Sequence, residues 1–286
     1  MTLNMVEPIG LAPVVVRKGR ISGSTIVTAV AVAWVVIVAV AALVPEILAP
    51  DDPAALHADR VLQKPGGTLL GTDQYGRSIL TLLIHGARTA MLIGLFSTVV
   101  AVAIGGTLGL IAGYVGGWVD MLIGRIVDIL MCFPGVLLAL VIATALGPTT
   151  TNLVIAVGIG SLPAFARVMR GQVMSVRNRL FVEAARSNGF GQLRILFRHV
   201  LPNSLAPIVV LATVSVGTAI VVAASLSFLG LGPKSAVPDW GQLLASGQPY
   251  LSTAWWISTF AGLTLTLTVI AISLLGDWVR DRMDMD

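Results

Sequence analysis

Five uncharged stretches dominate the chain: residues 21–45, 89–119, 129–166, 199–233 and 240–276. Crossing the roughly 30 Å hydrocarbon layer of a bilayer takes about 20 mostly apolar helical residues, because every backbone polar group must be bonded internally there. Each stretch is long enough for one crossing, and the third is too long for one ordinary crossing. GPTTTN at 147–152 divides it, since proline lacks an N–H and restricts the residue before it. The pattern predicts six spans, near Thr25–Val44, Ala90–Gly113, Ile126–Leu146, Leu153–Met169, Leu205–Leu229 and Ala254–Leu275. The fourth has the shortest apolar part and contains Pro163, so five spans is the alternative count.

Composition agrees with the pattern. Of the 286 residues 56% are hydrophobic and only 11% charged, and the mean hydropathy of +0.92 lies outside the range of soluble domains. The expected protein is all-α and integral to a membrane. Arg17, Lys18 and Arg20 precede the first span, and Arg167, Arg170, Arg177, Arg179, Arg186, Arg194 and Arg198 surround the fourth connection with only Glu183 against them. Lysine and arginine mark the cytoplasmic side. Residues 1–24 are therefore expected to be a cytoplasmic segment before a transmembrane domain over 25–284, with 50–88 an external loop and 172–204 a cytoplasmic one. Six spans then return the carboxyl terminus, with Arg280 and Arg282, to the cytoplasm. Trp255 and Trp256 fall at the outer start of the sixth span, where interfacial tryptophans gather.

The net charge of +4 and pI near 9.7 are explained by this topology, and nucleic acid is not an expected partner. One cysteine, Cys132, excludes an internal disulfide. The first apolar run is longer than a signal-peptide core and is expected to stay as a span.

Catalytic chemistry is sparse. His57, His85 and His199 fall in separate loops or loop edges, no Cys/His cluster has metal spacing, and no nucleophile stands beside a base. A GxxxxGK[ST] phosphate loop is absent, so this chain is not expected to hydrolyse nucleotides or to hold a cofactor. Ion-driven carriers place ionisable groups near the midplane, and these span interiors hold almost none. Arg125 and Asp128 are spaced to pair on one helix face at the edge of the third span. Energy for any transport is expected to come from elsewhere.

The connection EAARSNGFGQLRILFRHVLPN, residues 183–203, is the most structured polar stretch. RNRLFVEAARSN reads as a helix with Phe181, Ala184 and Ala185 toward one side, closed by Gly189 in a left-handed conformation. A second short helix over about 192–200 is expected to end at Pro202. Slim alanines beside the carboxylate of Glu183 suit close approach of another surface, whereas a plain basic loop would lie against lipid headgroups.

Glu-Ala-Ala, three residues, Gly and a later Leu-Pro resemble the EAA motif of permease subunits of bacterial ATP-binding-cassette importers. His199 departs from the general pattern, which favours isoleucine there. Arg198 to Asn203 (RHVLPN) is similar instead to the C-type permeases of the dipeptide and oligopeptide branch. LGTDQYGRSIL at 70–80, GYVGGWVD at 113–120, SFLGLG at 227–232, VPDWGQLL at 237–244 and LLGDWVRDRMD at 274–284 resemble that branch too. Taken singly, Gly71 with Asp73, and Gly113 with Gly116 and Gly117, suit tight turns, and Asp277 to Asp284 suits a solvated tail.

The resemblance implies a type I ABC importer permease fold with six transmembrane helices, in the inner membrane. Partners would be a second homologous permease, two ATP-binding subunits carrying ATP and magnesium, and an extracytoplasmic peptide-binding protein. It assigns docking on the ATPase to Glu183, Ala184, Ala185 and Gly189, with His199, Leu201 and Pro202 in the same motif. The implied cargo is a di- or oligopeptide; nickel chelates, haem or glutathione are alternatives, and a stand-alone channel or structural membrane protein is the alternative class.

Overall fold

The computed structural model describes residues 23–283, with side chains from Ile26 onward; Arg17, Lys18, Arg20 and Asp284 lie outside the described residues. Among the described residues there are helices, turns and two isolated bridges, with no strand. α1 (Gly23–Leu43) leads to the short α2 (Pro45–Leu48), and α3 (Ile79–Ala101) runs through a π turn at Val102–Gly106 into α4 (Thr107–Val115). Next come α5 (Gly117–Met131), α6 (Gly135–Leu146), α7 (Thr150–Arg177), α8 (Leu180–Ser187) and α9 (Gln192–Ile195). α10 (Leu201–Ser204), α11 (Ala206–Leu226), α12 (Trp240–Gly247) and α13 (Trp256–Met283) complete the chain.

Five continuous stretches have the length and hydropathy of a crossing: Ile26–Leu43, Ile79–Val115, Thr150–Arg177, Ala206–Leu231 and Trp256–Met283. The third expected span, Ile126–Leu146, is not one straight helix. α5 and α6 meet there at 88°. Pro134 has no N–H to continue α5, and its carbonyl instead accepts from Leu137 (2.9 Å) and Leu138 (3.0 Å) to start α6. The six expected spans thus resolve into five continuous helices and one bent pair.

Two boundaries move as well. The second helix begins at Ile79 rather than Ala90, with Ser78 as its cap, so the last ten residues of the expected 50–88 loop are helical. Arg88 lies on that added stretch and bonds Glu46 at 3.1 Å, while His85 meets Ala49 O at 3.1 Å. The fourth span, the weakest in apolar length, is a 28-residue helix that packs on α3, α4, α6 and α11. Thr149 caps it by accepting from Asn152 N, and Gly147 closes α6, as the GPTTTN break predicts.

α7 is the hub because α4 comes unusually close to it. Gly105, Gly109 and Gly113 recur every fourth residue and face Leu162, Ala166 and Arg170, which recur at the same interval on α7. A Cβ at Gly109 would lie 2.3 Å from Ala166 O, and one at Gly105 would lie 2.4 Å from Leu162 O. Such small-residue stripes let backbones approach where lipid removes any hydrophobic drive between helices.

α5 is held differently. It buries only Val127, and it joins α7 through Arg170–Asp120 and Arg167–Asp128 ion pairs, the latter at 2.8 Å. Asp128 therefore pairs across helices and not with Arg125, its expected neighbour. The Arg167–Asp128 pair is more than half exposed on both sides and contributes little by itself, so the half-buried Arg170–Asp120 pair is the stronger tie.

The stripe yields a comparison within one chain. Gly109→Ala must push α4 from α7 and should cost about 1–3 kcal/mol, an overpacking penalty. Gly124→Ala adds a methyl where nothing lies within 4 Å and should leave stability unchanged or slightly raised. Thermal unfolding of the two purified variants in detergent checks the contrast; equal melting points would refute the close-approach account.

Candidate functional site

At the end of α7 the chain turns at Asn178 and enters α8 with Arg179 as its first flanking residue. Val182 and Ala185, three residues apart, point inward and join Phe165, Met169, Val173 and Val176 of α7 in one buried cluster with Ile195. The rest of the helix surface shows Leu180, Phe181, Glu183 and Ala184 to the outside. Ala185 is buried with Val182 while Phe181 and Ala184 are exposed, contrary to the expectation that all three lie toward one side: the buried strip is centred between Val182 and Ala185, which leaves Phe181 at its edge and Ala184 well round from it.

α8 closes as expected at Gly189, whose φ is 79°. Phe190 N donates to Ala185 O (3.2 Å) and Gly189 N to Arg186 O (2.9 Å), the paired bonds of a Schellman ending. A Cβ at Gly189 would meet nothing within 4 Å, so the left-handed backbone alone requires glycine. Phe190 then folds back, stacked on His199 with ring centroids 6.1 Å apart and under the Arg194 guanidinium at 5.5 Å.

The return limb is not ended by Pro202. α9 passes through a π turn at Leu196–Val200 into α10, which begins at Leu201, and Pro202 occupies its first turn, where a missing N–H costs nothing. The π turn takes up the carbonyl register that the proline ring would otherwise disturb. Tyr114 Oη, 2.8 Å from Gln192 O, ties this hairpin to α4, and at its base Arg177 Nη1 donates to Gly113 O at 2.7 Å, joining the end of α7 to α4.

The seven motif residues therefore separate by position. Glu183, Ala184, Gly189 and Pro202 are exposed, Ala185 is buried, and His199 and Leu201 are partly buried. His199 Nε2 is enclosed without a partner, which makes this residue part of the hairpin interior rather than its outer face. Glu183 has no ion-pair partner among the described residues, despite the nearby Arg179 and Arg186.

Sequence reading missed the apolar part of this surface. Leu180 (82% exposed), Leu193 (71%) and Phe197 (61%) stand outside with Phe190. The available signal was an eight-residue helix with too many apolar positions for one buried face. Large apolar side chains gathered on a polar hairpin mark an interaction surface. No group of three His, Cys, Asp or Glu side chains suited to a metal occurs among the described residues.

The opposite end of the bundle is built on buried polar bonds. Asp73 is fully buried, accepts from Tyr75 N and Arg77 N, and pairs with Arg77 at 2.7 Å. Trp256 Nε1 donates to Thr72 O at 3.0 Å and Trp240 Nε1 to Leu83 O at 2.9 Å. Trp255 is exposed, as an interfacial residue should be, whereas Trp256 is core. The 70–80 motif does turn, with Gly71 at φ 82° and Asp73 accepting from the backbone ahead of it, and Trp256 also packs it into the core; Trp240 of the 237–244 motif is anchored on α3. Gly116 and Gly117 do turn, between α4 and α5, while Asp277 and its neighbours are solvated but remain helical to Met283.

Residues 105–285, more than half the chain, match the family described as binding-protein-dependent transport system inner membrane component. The chain belongs to that family. It is similar to the dipeptide transport system permease protein DppC of Alkalihalophilus pseudofirmus, with 46% identity over 75% of this chain and 70% of that protein. The di/tripeptide transport system permease protein DppC of Pseudomonas aeruginosa is 47% identical over 83% and 80%. The glutathione transport system permease protein GsiD of Pectobacterium atrosepticum is 43% identical over 79% and 75%. The fold is similar to that of a chain in inward-facing structures of the MetNI methionine ABC transporter, with a TM-score of 0.60 and 18% identity over 72% of this chain and 97% of that one. This permease is accordingly an all-α, multi-pass inner-membrane transport subunit of the type I importer fold.

The Schellman ending gives the permease a clean local test. Gly189→Val forces a branched L-residue into the left-handed region at a cost of roughly 1–2 kcal/mol or more. Gly191→Val, at φ −65° with open space around it, should be tolerated. Amide exchange across 186–190 should quicken in the first variant alone, at unchanged membrane abundance; equal protection in both would remove the turn's role.

Proposed function

We propose that the permease carries di- or oligopeptides across the inner membrane in an importer powered by separate ATPase subunits, with α8 and α9 as its coupling hairpin. The observation that carries the reading is the exposed face of Leu180, Glu183, Ala184 and Leu193 on a hairpin whose other face is locked into the α7 cluster. A rigid base with an apolar surface and an unengaged carboxylate suits a cleft on a partner. In this reading ATP and magnesium bind two partner ATPase subunits. A second homologous permease completes the path, and an extracytoplasmic binding protein delivers the peptide. Closure of the ATPases pushes the hairpins, and rocking of the permeases alternates access.

The peptide assignment is supported by the names of the dipeptide and di/tripeptide relatives. The glutathione relative favours a second reading at similar identity, and glutathione is itself a small peptide. Binding of candidate peptides to the partner receptor separates the two. For sidedness, the end that holds α8 to α10 gathers Arg125, Arg167, Arg170, Arg177, Arg179, Arg186, Arg194, Arg198, Arg280 and Arg282 against Asp120, Asp128, Glu183, Asp277 and Asp281. The other end balances Arg60, Lys64, Arg77, Arg88 and Lys234 against Glu46, Asp51, Asp52, Asp59, Asp73 and Asp239. That asymmetry supports a cytoplasmic hairpin, cytoplasmic termini and an external 50–78 segment.

Glu183→Lys should leave membrane levels normal, reduce recovery of the ATPase subunits in co-purification and abolish peptide-stimulated ATP hydrolysis, because it turns the free carboxylate into one more cation. Normal uptake at normal abundance would refute the docking role. Single-cysteine variants at Ala184 and Ala58, made after replacing Cys132, test sidedness. A membrane-impermeant thiol reagent applied to intact cells should label position 58 and spare 184; the reverse pattern would overturn the orientation.

A further inference from the structure

Where α11 ends and α12 begins, two buried oxygens face one small space without partners. Asp239 is 5% exposed; its Oδ1 accepts from Gly241 N at 2.8 Å and Gln242 N at 3.0 Å, capping α12, while Oδ2 is enclosed with no hydrogen bond. Ser227 opens the π turn Ser227–Leu231, and its Oγ is likewise buried and unbonded. Both line a cavity of about 10 Å³ whose other walls include Ala90, Ile93, Ile220 and Leu265.

No cation neutralises this carboxyl. On the loop before it, Lys234 is exposed, and Arg77 is engaged by Asp73 and Ala236 O. On α3, Arg88 and His85 turn to Glu46 and Ala49. α11 and α12 carry no charged residue, and α13 carries none before Asp277. A water is poorly served too: the volume is at the lower limit for one molecule and the lining is mostly apolar. An isolated buried carboxylate is costly enough that such a group takes up a proton instead. Burial pushes the Asp239 carboxyl up from its ordinary range, against the opposing pull of the capping Gln242 N–H, the Ser227 hydroxyl and the Gly241 N–H.

We propose that Asp239 and Ser227 form a proton-binding site, in which Oδ2 of Asp239 carries a proton and donates it to Oγ of Ser227, fastening the start of α12 to the end of α11. The proton comes from the aqueous phase; one O–H bond forms on the carboxylate and no other covalent bond changes. Protonation satisfies both orphan oxygens at once. Deprotonation leaves a buried charge answered only by its cap and the Ser227 hydroxyl, with no cation against it.

The sign of the pH dependence follows. The folded state holds this proton more tightly than the unfolded chain, so the contribution to stability is full below the unfolded aspartate value of about 3.9. It declines as pH rises toward the folded value and is flat above it.

The test uses the purified, assembled transporter with wild-type, Asp239→Asn and Ser227→Ala permeases. Asparagine keeps the cap through its carbonyl oxygen and donates an N–H to Ser227, so it mimics the protonated carboxyl permanently. Infrared difference spectra between acidic and neutral pH should show a protonated-carboxyl band in the wild type that vanishes in Asp239→Asn and shifts in Ser227→Ala. The melting point should fall with rising pH in the wild type and lose that component in Asp239→Asn. A spectrum unchanged in Asp239→Asn, or a band indifferent to Ser227→Ala, would overturn the site. So would stabilisation by sodium or a divalent ion at high pH, which would make it a cation site instead. If Asp239→Asn fails to assemble, the band shift in Ser227→Ala decides alone.

Discussion

The approach of α4 to α7 is the constraint from which the rest of this permease follows. Between helices in lipid no hydrophobic gain is available, so association rests on shape and on contacts that only small residues permit. Gly105, Gly109 and Gly113 bring the α4 backbone against the carbonyls of Leu162, Ala166 and Arg170. That line of contact, from Leu162 to Arg170, fixes the middle of α7, and α7 in turn carries the hairpin. Phe165, Met169, Val173 and Val176 belong to the same buried cluster as Val182, Ala185 and Ile195, so the hairpin is an extension of the packed bundle rather than a tethered loop.

The two ends of the molecule solve opposite problems. At the hairpin end, apolar side chains and a carboxylate stay outside while the backbone is held by a Schellman ending at Gly189 and by the Tyr114 hydroxyl at Gln192 O. At the other end, polar groups are taken inside and satisfied: indole N–H groups of Trp240 and Trp256 answer backbone carbonyls, and Arg77 answers Asp73. An unanswered buried carbonyl costs about 1–3 kcal/mol, so these indoles define where the connecting segments sit as firmly as their apolar area does. Asp239, with one oxygen answered and one not, is an exception at that end, together with the side-chain oxygens of Ser227, Thr68 and Gln74.

Much of this was legible in the residues. Uncharged runs found the five continuous crossings, GPTTTN placed the α6–α7 break, and alanine-rich sequence before Gly189 gave the left-handed ending, because each depends on local backbone chemistry. What was not legible depends on partners distant in sequence. Asp128 sits three residues from Arg125 but meets Arg167 on another helix; Trp256 looks interfacial but is claimed by Thr72 O, 184 residues away. The 88° bend at Pro134 was hidden because a proline in an apolar run is compatible with a kinked single span. Ala185 was misplaced for a different reason: adjacent alanines look equivalent until a full turn of buried neighbours assigns one of them inward.

The same contrast bears on how force could pass through the permease. A docking surface transmits displacement only if it moves with the helices behind it, and a loop hinged at both ends would absorb the motion in its own dihedrals. Here one end of the hairpin is one residue pair from α7, and the other runs through a π turn and α10 into α11 almost without interruption. α11 then packs on α3, α7 and α13 and finishes beside Asp239 at the far end. A push on Leu180 or Leu193 therefore meets two spanning helices that already share the Phe165–Ile208 cluster. Because packed cores rearrange between discrete arrangements rather than deforming smoothly, a displacement of the hairpin in the proposed coupling role would be passed on as rigid movement of α7 and α11 together. α5, which buries one residue and is joined to α7 by ion pairs, is the element least bound to follow them.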